Sequence, residues 1–294
     1  MIKNRLILVS LLGISFAYGQ MDSIVYNRLK SHVLFLASDS LKGRASGSEE
    51  ERMANRYVVS QFLVNRRSKN QFWDFTVSKD STLHCQMVGS FISNKSPFTV
   101  VIGAHIDHIG LGGALSKSPG KTEVHNGADD NAAGVAVLIE LQRYFAKKKL
   151  PFNLLFVAYT AHEIGIFGSE YLSKHLDTKY GTLVGVLNWD MIGRLDEQNH
   201  NLYISCNQQA DSLFEETSFI HPVYQDRKKV EILDTKHFLD RTIPCATFST
   251  GMHSDYHKIS DDALYIHYEG LYQILRYFEI VLEEQPFQNS LPIK

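Results

Sequence analysis

The spacing of apolar positions changes along the chain from a helical to a strand-like pattern. In residues 22–66 apolar side chains recur three or four positions apart, which predicts two helices. The second helix is expected to begin after Ser48, because Ser is a favoured N-cap and three glutamates follow it. Further on, runs rich in β-branched and aromatic residues over 84–92 and 98–104 predict strands.

Beyond these first strands, strand and helix patterns alternate. Continuous apolar runs predict further buried strands at 152–159, 183–189, 201–205 and 245–250. Helical patterns occupy 131–145, 168–175 and 262–284. Apolar strands separated by helices are typical of a mostly parallel central sheet with helices on both faces. We therefore expect an α/β fold in a single domain over residues 20–294, with the helices of 22–66 packed on it.

Composition narrows the function classes only a little. Of the 294 residues, 44% are hydrophobic and 21% are charged, which is ordinary for a globular protein. The net charge of -2 offers no electrostatic basis for binding nucleic acid. After the N-terminal segment, no apolar run is long enough to cross a bilayer, so stable membrane association is not expected.

The first 19 residues predict a signal peptide. Lys3 and Arg5 precede an apolar stretch from Leu6 to Ala17, which is too short to span a bilayer core of about 30 Å. Ala17 and Gly19 supply the small residues that a signal peptidase requires. We expect export to the periplasm or the extracellular space after cleavage near Gly19, and an uncleaved N-terminal anchor is the alternative.

Export would place the three cysteines in an oxidising compartment. Cys85, Cys206 and Cys245 have spacings that match no zinc motif. We expect buried structural thiols, and one disulfide is the alternative.

Four side chains of the kind that binds metals come at or soon after the end of a predicted strand: His105, Glu163, Asp190 and His257. Because the carboxyl ends of parallel strands meet at one edge of a sheet, we expect these side chains to lie close together. Imidazole and carboxylate groups are suitable ligands for Zn²⁺.

Four more polar residues accompany this set. Asp107 lies on the same side of an extended segment as His105, so its carboxylate could orient the imidazole ring. His108 is expected to point away from that pair. Asp129 and Asp130 precede an apolar helix, where Asp is a favoured N-cap. The other interpretation is that one Asp caps the helix while the second bridges two metals.

Five segments, taken in order, resemble the di-zinc exopeptidases of metallopeptidase family 28 in clan MH, which includes bacterial leucyl aminopeptidases. They are GAHIDH at 103–108, NGADDNAAG at 126–134, EIGIFGS at 163–169, NWDMIG at 188–193 and YH at 256–257. The resemblance covers roughly residues 30–285. It implies the zinc aminopeptidase and phosphorylase-hydrolase fold, and removal of N-terminal residues from peptide substrates.

The resemblance also implies a role for each matching residue. Two zinc ions per chain would be bridged by Asp130. His105 and Asp190 would complete the coordination of one ion. Glu163 and His257 would complete that of the other, with a water between the ions as nucleophile. Asp107 would support the ring of His105.

One position departs from the family pattern. The family has two adjacent acids after the middle strand, of which the first is the general base, and here the pair is His162 and Glu163. Gly165 and Gly168 match the family's glycines and keep Glu163 at the ligand position. A neutral imidazole beside a cationic cluster could accept the proton of water, so His162 is interpreted as the base. The alternatives are a catalytically impaired zinc-binding pseudoenzyme, a glutaminyl-cyclase-like acyltransferase, and a purely structural match in which His162 is a packed polar residue.

Overall fold

The structure is a computed structural model that describes residues 21–78, 82–118, 120, 122–176, 178–210, 213–225, 233–241 and 243–284. The predicted signal peptide lies outside the described residues. The strands of the structure are β1 (Ser68–Ser78), β2 (Thr82–Ile92), β3 (Phe98–His105), β4 (Asn153–Tyr159), β5 (Thr182–Trp189), β6 (Asn201–Cys206), β7 (His221–Tyr224) and β8 (Cys245–Ser249). The α-helices are α1 (Ser23–Leu36), α2 (Glu49–Gln61), α3 (Gly134–Phe145), α4 (Phe167–His175) and α5 (Tyr268–Glu284).

All eight strands form one mixed sheet in the order β1-β2-β4-β3-β5-β8-β6-β7. Its centre, β4-β3-β5-β8, is parallel, while β1 and β2 form an antiparallel hairpin on one side. Strand β2 joins β4 antiparallel, and β6 joins β8 antiparallel. The predicted α/β architecture with a parallel sheet core is confirmed.

Helices cover both faces of this sheet. On one face, α1, α2, α3 and α5 pack on alternate strand residues such as Ile102 and Phe156. On the other face, Leu172 of α4 and Phe238 pack on the intervening residues such as Val101 and Val157. Successive side chains of a strand point to opposite faces, so a central strand covered on both faces is apolar throughout. This explains why β3, β4 and β5 lack an alternating pattern.

The structure differs from the sequence prediction mainly at the sheet edges and helix starts. Strands β1 and β7 form the two edges of the sheet and were not predicted. Strand β1 carries polar side chains at many of its positions, so it lacks the apolar run of a central strand. Helix α5 begins at Tyr268 rather than at residue 262, since Asp262 caps a separate short turn, Ala263–Tyr265. Helix α3 begins at Gly134, because Asp130 and Asn131 have non-helical backbone angles.

The cysteines behave as expected. Cys85, Cys206 and Cys245 are buried, and no disulfide joins any two of them. The prediction of buried structural thiols is therefore confirmed. In the described part of the chain, no helix is long and apolar enough to cross a membrane.

Candidate metal centre

The five predicted metal ligands meet at the carboxyl edge of the parallel strands. His105 is the last residue of β3, and Asp190 directly follows β5. Glu163 lies in the turn after β4, and His257 lies in the loop that follows β8. Asp130 joins them from the irregular turn Ala128–Ala133 that leads into α3. The structure thus brings together residues that are distant in sequence but share one sheet edge.

The two oxygens of Asp130 face two different groups. Asp130 Oδ1 lies 3.2 Å from His105 Nε2, which is itself 3.6 Å from Asp190 Oδ1. Asp130 Oδ2 lies 3.3 Å from His257 Nε2, which is itself 3.2 Å from Glu163 Oε2. The arrangement therefore consists of two half-sites that share Asp130, as a bridging carboxylate would.

The ring orientation of both histidines suits a metal. His105 Nδ1 lies 3.0 Å from the backbone carbonyl of Asp107, and His257 Nδ1 lies 3.1 Å from that of Leu115. A carbonyl only accepts, so each Nδ1 carries a hydrogen, and in the neutral ring each Nε2 presents a lone pair. Those two Nε2 atoms and Asp130 Oδ2 are buried and form no hydrogen bond with any described residue. Cations bound in the two half-sites would satisfy these atoms, so the residues fit bound metal such as zinc.

The pKa shifts within the site also indicate a place for a positive ion. Burial lowers the pKa of His105, but the carboxylates of Asp130 and Asp190 outweigh burial and hold this pKa well above its ordinary value. For His257 burial is likewise outweighed by Asp130 and Glu163, and the pKa rises to about 10. Burial alone would raise the pKa of Glu163, yet the neighbouring imidazoles hold it at about 2. Without metal the imidazoles carry protons, and a metal must displace them.

Backbone strain surrounds the site. Ala161, Met191 and His257 all have left-handed backbone angles, with φ between 57° and 58°. Such a conformation costs a non-glycine residue about 1–3 kcal/mol and persists only where the surrounding structure imposes it. The turns that carry Glu163, Asp190 and His257 are therefore held in place by the rest of the fold.

His108 belongs to the site, and the prediction that it points away was wrong. Its Nδ1 lies 2.9 Å from Glu163 Oε1 and 3.7 Å from Asp130 Oδ2, and the residue is buried. The prediction considered only the pair of His105 and Asp107, whereas the side chain of His108 meets Glu163 from the turn after β4, a contact that local spacing does not reveal. The backbone of His108 is held by a bridge to Ala45, in which His108 N donates to the Arg44 carbonyl. His108, Asp130, Glu163 and His257 form one group that could hold a metal.

Asp107 supports a different part of the site from the one expected. Its backbone carbonyl, not its carboxylate, is the partner of His105 Nδ1. The carboxylate accepts the backbone N–H groups of His162 (3.1 Å) and Glu163 (3.2 Å), and the hydroxyl of Ser46 (2.6 Å). The carboxylate points across to the β4 turn because only the carbonyl is placed to meet the ring. Asp107 therefore fixes the segment that carries Glu163.

His162 is held beside the first half-site. Its ring stacks on that of His105, with centroids 3.9 Å apart and planes inclined by 8°. Its Nδ1 lies 3.0 Å from Oδ2 of Asp234, a residue that the sequence did not single out. Burial and His105 lower the pKa of His162, but Asp234 outweighs them and raises it to about 9 in the absence of metal. No sequence pattern around Asp234 marks it, since its role depends on a contact with a residue 72 positions away.

A fully buried cation supports the turns behind the site. The Arg44 guanidinium donates to the carbonyls of Ile106 (2.9 Å), Asn126 (2.7 Å) and Gly127 (3.1 Å), and also to that of Leu36. The first three of these carbonyls belong to the segments that follow His105 and precede Asp130, and the Leu36 carbonyl lies at the end of α1. A single side chain thus links two ligand-bearing loops.

A buried acid supports Asp130 from the other side. The Asp261 carboxylate accepts the backbone N–H of Asp129 (3.1 Å) and of Asp130 (3.0 Å). The Asp129 carboxylate does not cap α3 but binds Gly193 N and His253 Nε2. The expectation that one of the two aspartates caps α3 was therefore wrong, because the chain is not helical at Asp130 and the N-cap position is taken by Ala133.

Comparison with known proteins bears on this site. The model of peptidase family M28 matches residues 87–281. The alkaline phosphatase isozyme conversion protein of Escherichia coli (strain K12) is 28% identical over 159 residues, which make up 50% of this chain and 46% of that protein. The chain spans less than half the length of the curated relatives that it matches.

Solved structures share the fold. A glutaminyl cyclase from Fimbriiglobus ruber matches with a TM-score of 0.72 at 14% identity, over 88% of this chain and 95% of the other. BSAP, a zinc aminopeptidase from Bacillus subtilis, matches with a TM-score of 0.69 at 15% identity, over 88% and 95% of the two chains. At these identities the likeness concerns the fold alone. The family match spans more than half of the chain, and this protein therefore belongs to peptidase family M28.

Proposed function

We propose that this protein is an exported zinc-dependent exopeptidase that removes N-terminal residues from peptides. The observation that carries the proposal is the pair of half-sites sharing Asp130, with the Nε2 lone pairs of His105 and His257 directed into them. Membership of a peptidase family and a fold shared with a zinc aminopeptidase support it. Export remains a prediction from the N-terminal sequence.

The chain offers ligands for two zinc ions. His105 and Asp190 would hold one ion, and Glu163 and His257 would hold the other, with His108 beside the second. Asp130 would contact both ions. Zinc at such a site supplies Lewis acidity, which polarises a peptide carbonyl and acidifies water.

His162 is the residue placed to move a proton. Two zinc ions carry four positive charges against three negative charges on Asp130, Glu163 and Asp190, so the loaded ligand set has a net positive charge. Such a site lowers the pKa of His162 from its metal-free value of about 9 and favours the neutral imidazole. The neutral ring takes a proton from the attacking water and returns it to the leaving amine.

A direct test combines metal analysis with hydrolysis. Zinc content is measured on the purified protein, and initial rates are measured on leucyl, alanyl and lysyl anilides, with N-acetyl-leucyl anilide as the blocked control. We expect about two zinc ions per chain, chelator-sensitive hydrolysis of the free-amine substrates, and no hydrolysis of the blocked one. Asp130→Asn, which keeps the side-chain shape, should lose both zinc and activity.

The other outcomes separate the alternatives. Cyclisation of peptides with N-terminal Gln, without anilide hydrolysis, would identify an acyltransferase, a second candidate that the fold similarity to glutaminyl cyclases supports. Bound zinc with neither reaction would identify a pseudoenzyme. A protein that binds no zinc would overturn the proposal.

A further inference from the structure

A buried carboxylate faces the ring of His162 from outside the metal ligand set. Asp234 has no exposed surface, and its Oδ2 lies 3.0 Å from His162 Nδ1. The next residue, Thr235, places its hydroxyl 3.0 Å from that of Thr247 on β8. The segment that carries Asp234 is thus tied to the sheet, and its carboxylate is held in position.

Three contacts set the orientation of His162. Its backbone N–H donates to Asp107 Oδ1, and one face of its ring lies against His105. Its Nδ1 is occupied by Asp234. A metal-binding atom of His162 lies within 4.8 Å of those of His105 and Asp190. With Nδ1 occupied, Nε2 is the nitrogen left to face the first half-site.

We propose that Asp234 is a positioning residue, which keeps the hydrogen of His162 on Nδ1 and thereby leaves Nε2 as the proton acceptor of the hydrolytic reaction. The inference rests on the proposed function for its kinetic part. An ionised carboxylate accepts the Nδ1–H bond and cannot donate one, so it selects a single tautomer of the imidazole. An imidazole–carboxylate pair then occupies the position where relatives are expected to have one acid.

The proton inventory of the step balances. An O–H bond of water breaks as its oxygen attacks the peptide carbonyl carbon, and the proton moves to His162 Nε2. The C–N bond then breaks, and the same proton moves from Nε2 to the leaving amine. Asp234 stays ionised throughout and stabilises the imidazolium that exists between the two transfers. No oxidant or other co-reactant is needed.

The chain contains a second buried imidazole–carboxylate pair that serves as a matched control. His32 Nε2 lies 3.1 Å from Glu140 Oε1, between α1 and α3, and both side chains are almost fully buried. Among the described residues, the groups that could hold a metal include neither His32 nor Glu140. Glu140→Gln therefore removes a carboxylate of the same kind without touching the proposed reaction.

The kinetic test uses Asp234→Asn, which keeps the shape of the side chain, in the zinc-loaded protein. We expect kcat to fall by about 10²–10⁴-fold, the range of a general base, while KM and zinc content stay within a few fold. In a His162→Ala background the same substitution should have no further effect, because groups that act as a unit are not additive. Glu140→Gln should leave kcat unchanged.

A spectroscopic test does not depend on turnover. In the ¹⁵N-labelled, zinc-loaded protein, His162 should show a protonated Nδ1 with a low-field proton signal. That signal should disappear in both His162→Ala and Asp234→Asn, and persist in Glu140→Gln. Because it needs no substrate, it decides the role of Asp234 even if the wild-type protein hydrolyses nothing and the proposed function fails.

Three results would overturn the inference. One is a wild-type His162 protonated on Nε2 rather than Nδ1, which needs no variant and no refolding. Another is an equal loss of kcat from Asp234→Asn with and without His162, as a merely structural role would give. The third is loss of a zinc ion in His162→Ala, which would make this imidazole a ligand instead of a base.

Discussion

Two clusters of carboxylates and basic side chains border helix α3, and their charges are balanced in different ways. In the body of the helix, the Glu140 carboxylate accepts two bonds from Arg28 Nε, one from Arg28 Nη2 and one from His32 Nε2, at 2.6–3.1 Å. Before the first turn, Asp130 Oδ2 and the Nε2 atoms of His105 and His257 have no such partner among the described residues. The first cluster contains a permanent cation, Arg28, whereas the second pairs its carboxylates with imidazoles whose protons a metal can displace.

This difference distinguishes a buried charge cluster that stabilises the fold from one that binds a ligand. A buried carboxylate that is fully partnered by the protein contributes to stability, and removing one partner is costly. A cluster that is left incomplete costs stability and is retained where a ligand completes it. The predictions below test whether the two clusters depend on different cations.

The largest change in stability is expected from Glu140→Gln. This substitution leaves Arg28 without its counter-charge and removes the acceptor of His32 Nε2. Breaking a buried charge pair costs about 3–5 kcal/mol of the free energy of unfolding, and the low end is expected here because the Arg28 side chain is 34% exposed. Chemical denaturation of the zinc-free protein measures it. Glu49→Gln breaks the pair with Arg56 on the surface and should change stability little, because both of those side chains are largely exposed. Equal effects of the two substitutions would show that the cluster around Glu140 does not stabilise the fold.

Zinc should stabilise the protein only through the cluster that contains Asp130, His105 and His257. At free zinc one hundredfold above its dissociation constant, we expect the free energy of unfolding to rise by about 2.7 kcal/mol for each bound ion. The rise should be the same in wild type and Glu140→Gln, and absent in Asp130→Asn. Thermal denaturation with and without a chelator measures it. A smaller rise in Glu140→Gln would mean that the two clusters are coupled.

His108→Ala should have a smaller effect, confined to metal affinity. Loss of an imidazole beside Glu163 is expected to weaken zinc binding by about 10–100-fold, as for partners of metal ligands in general. Competition with a fluorescent zinc chelator measures the affinity. His175→Ala removes an imidazole whose Nδ1 bonds only the Tyr171 carbonyl on the surface of α4, and should leave affinity unchanged. Unchanged affinity in His108→Ala would remove His108 from the site.

The smallest effect concerns pH. Burial alone would raise the pKa of Glu140, but His32 and Arg28 outweigh it and hold this pKa below its ordinary value of 4.5. A carboxylate whose pKa is lower in the folded than in the unfolded state stabilises the fold above about pH 4.5, and this contribution is lost as pH falls further. The stability difference between wild type and Glu140→Gln should therefore shrink below pH 4.5. A difference that stays constant down to pH 3 would contradict this.

Much of the fold could be predicted because the necessary signals are local. The apolar runs of β3, β4 and β5 reflect burial on both sheet faces, and their strand ends place His105, Glu163 and Asp190 at one edge. Strand β1 escaped prediction because an edge strand exposed to solvent has no such run. The start of α5 was misplaced because a capped turn preceding it resembles a helix start in sequence.

By itself, the sequence determined the α/β architecture and placed His105, Glu163, Asp190 and His257 at one sheet edge, since these follow from periodicity and from position relative to strand ends. The resemblance to the di-zinc exopeptidases added Asp130 to this set. Only the tertiary structure decided the orientation of His108, the partners of the Asp107 carboxylate, and the pairing of His162 with Asp234. Each of these depends on the direction the chain takes after a strand, or on contact between segments far apart in sequence. Neither is encoded in the spacing of residues.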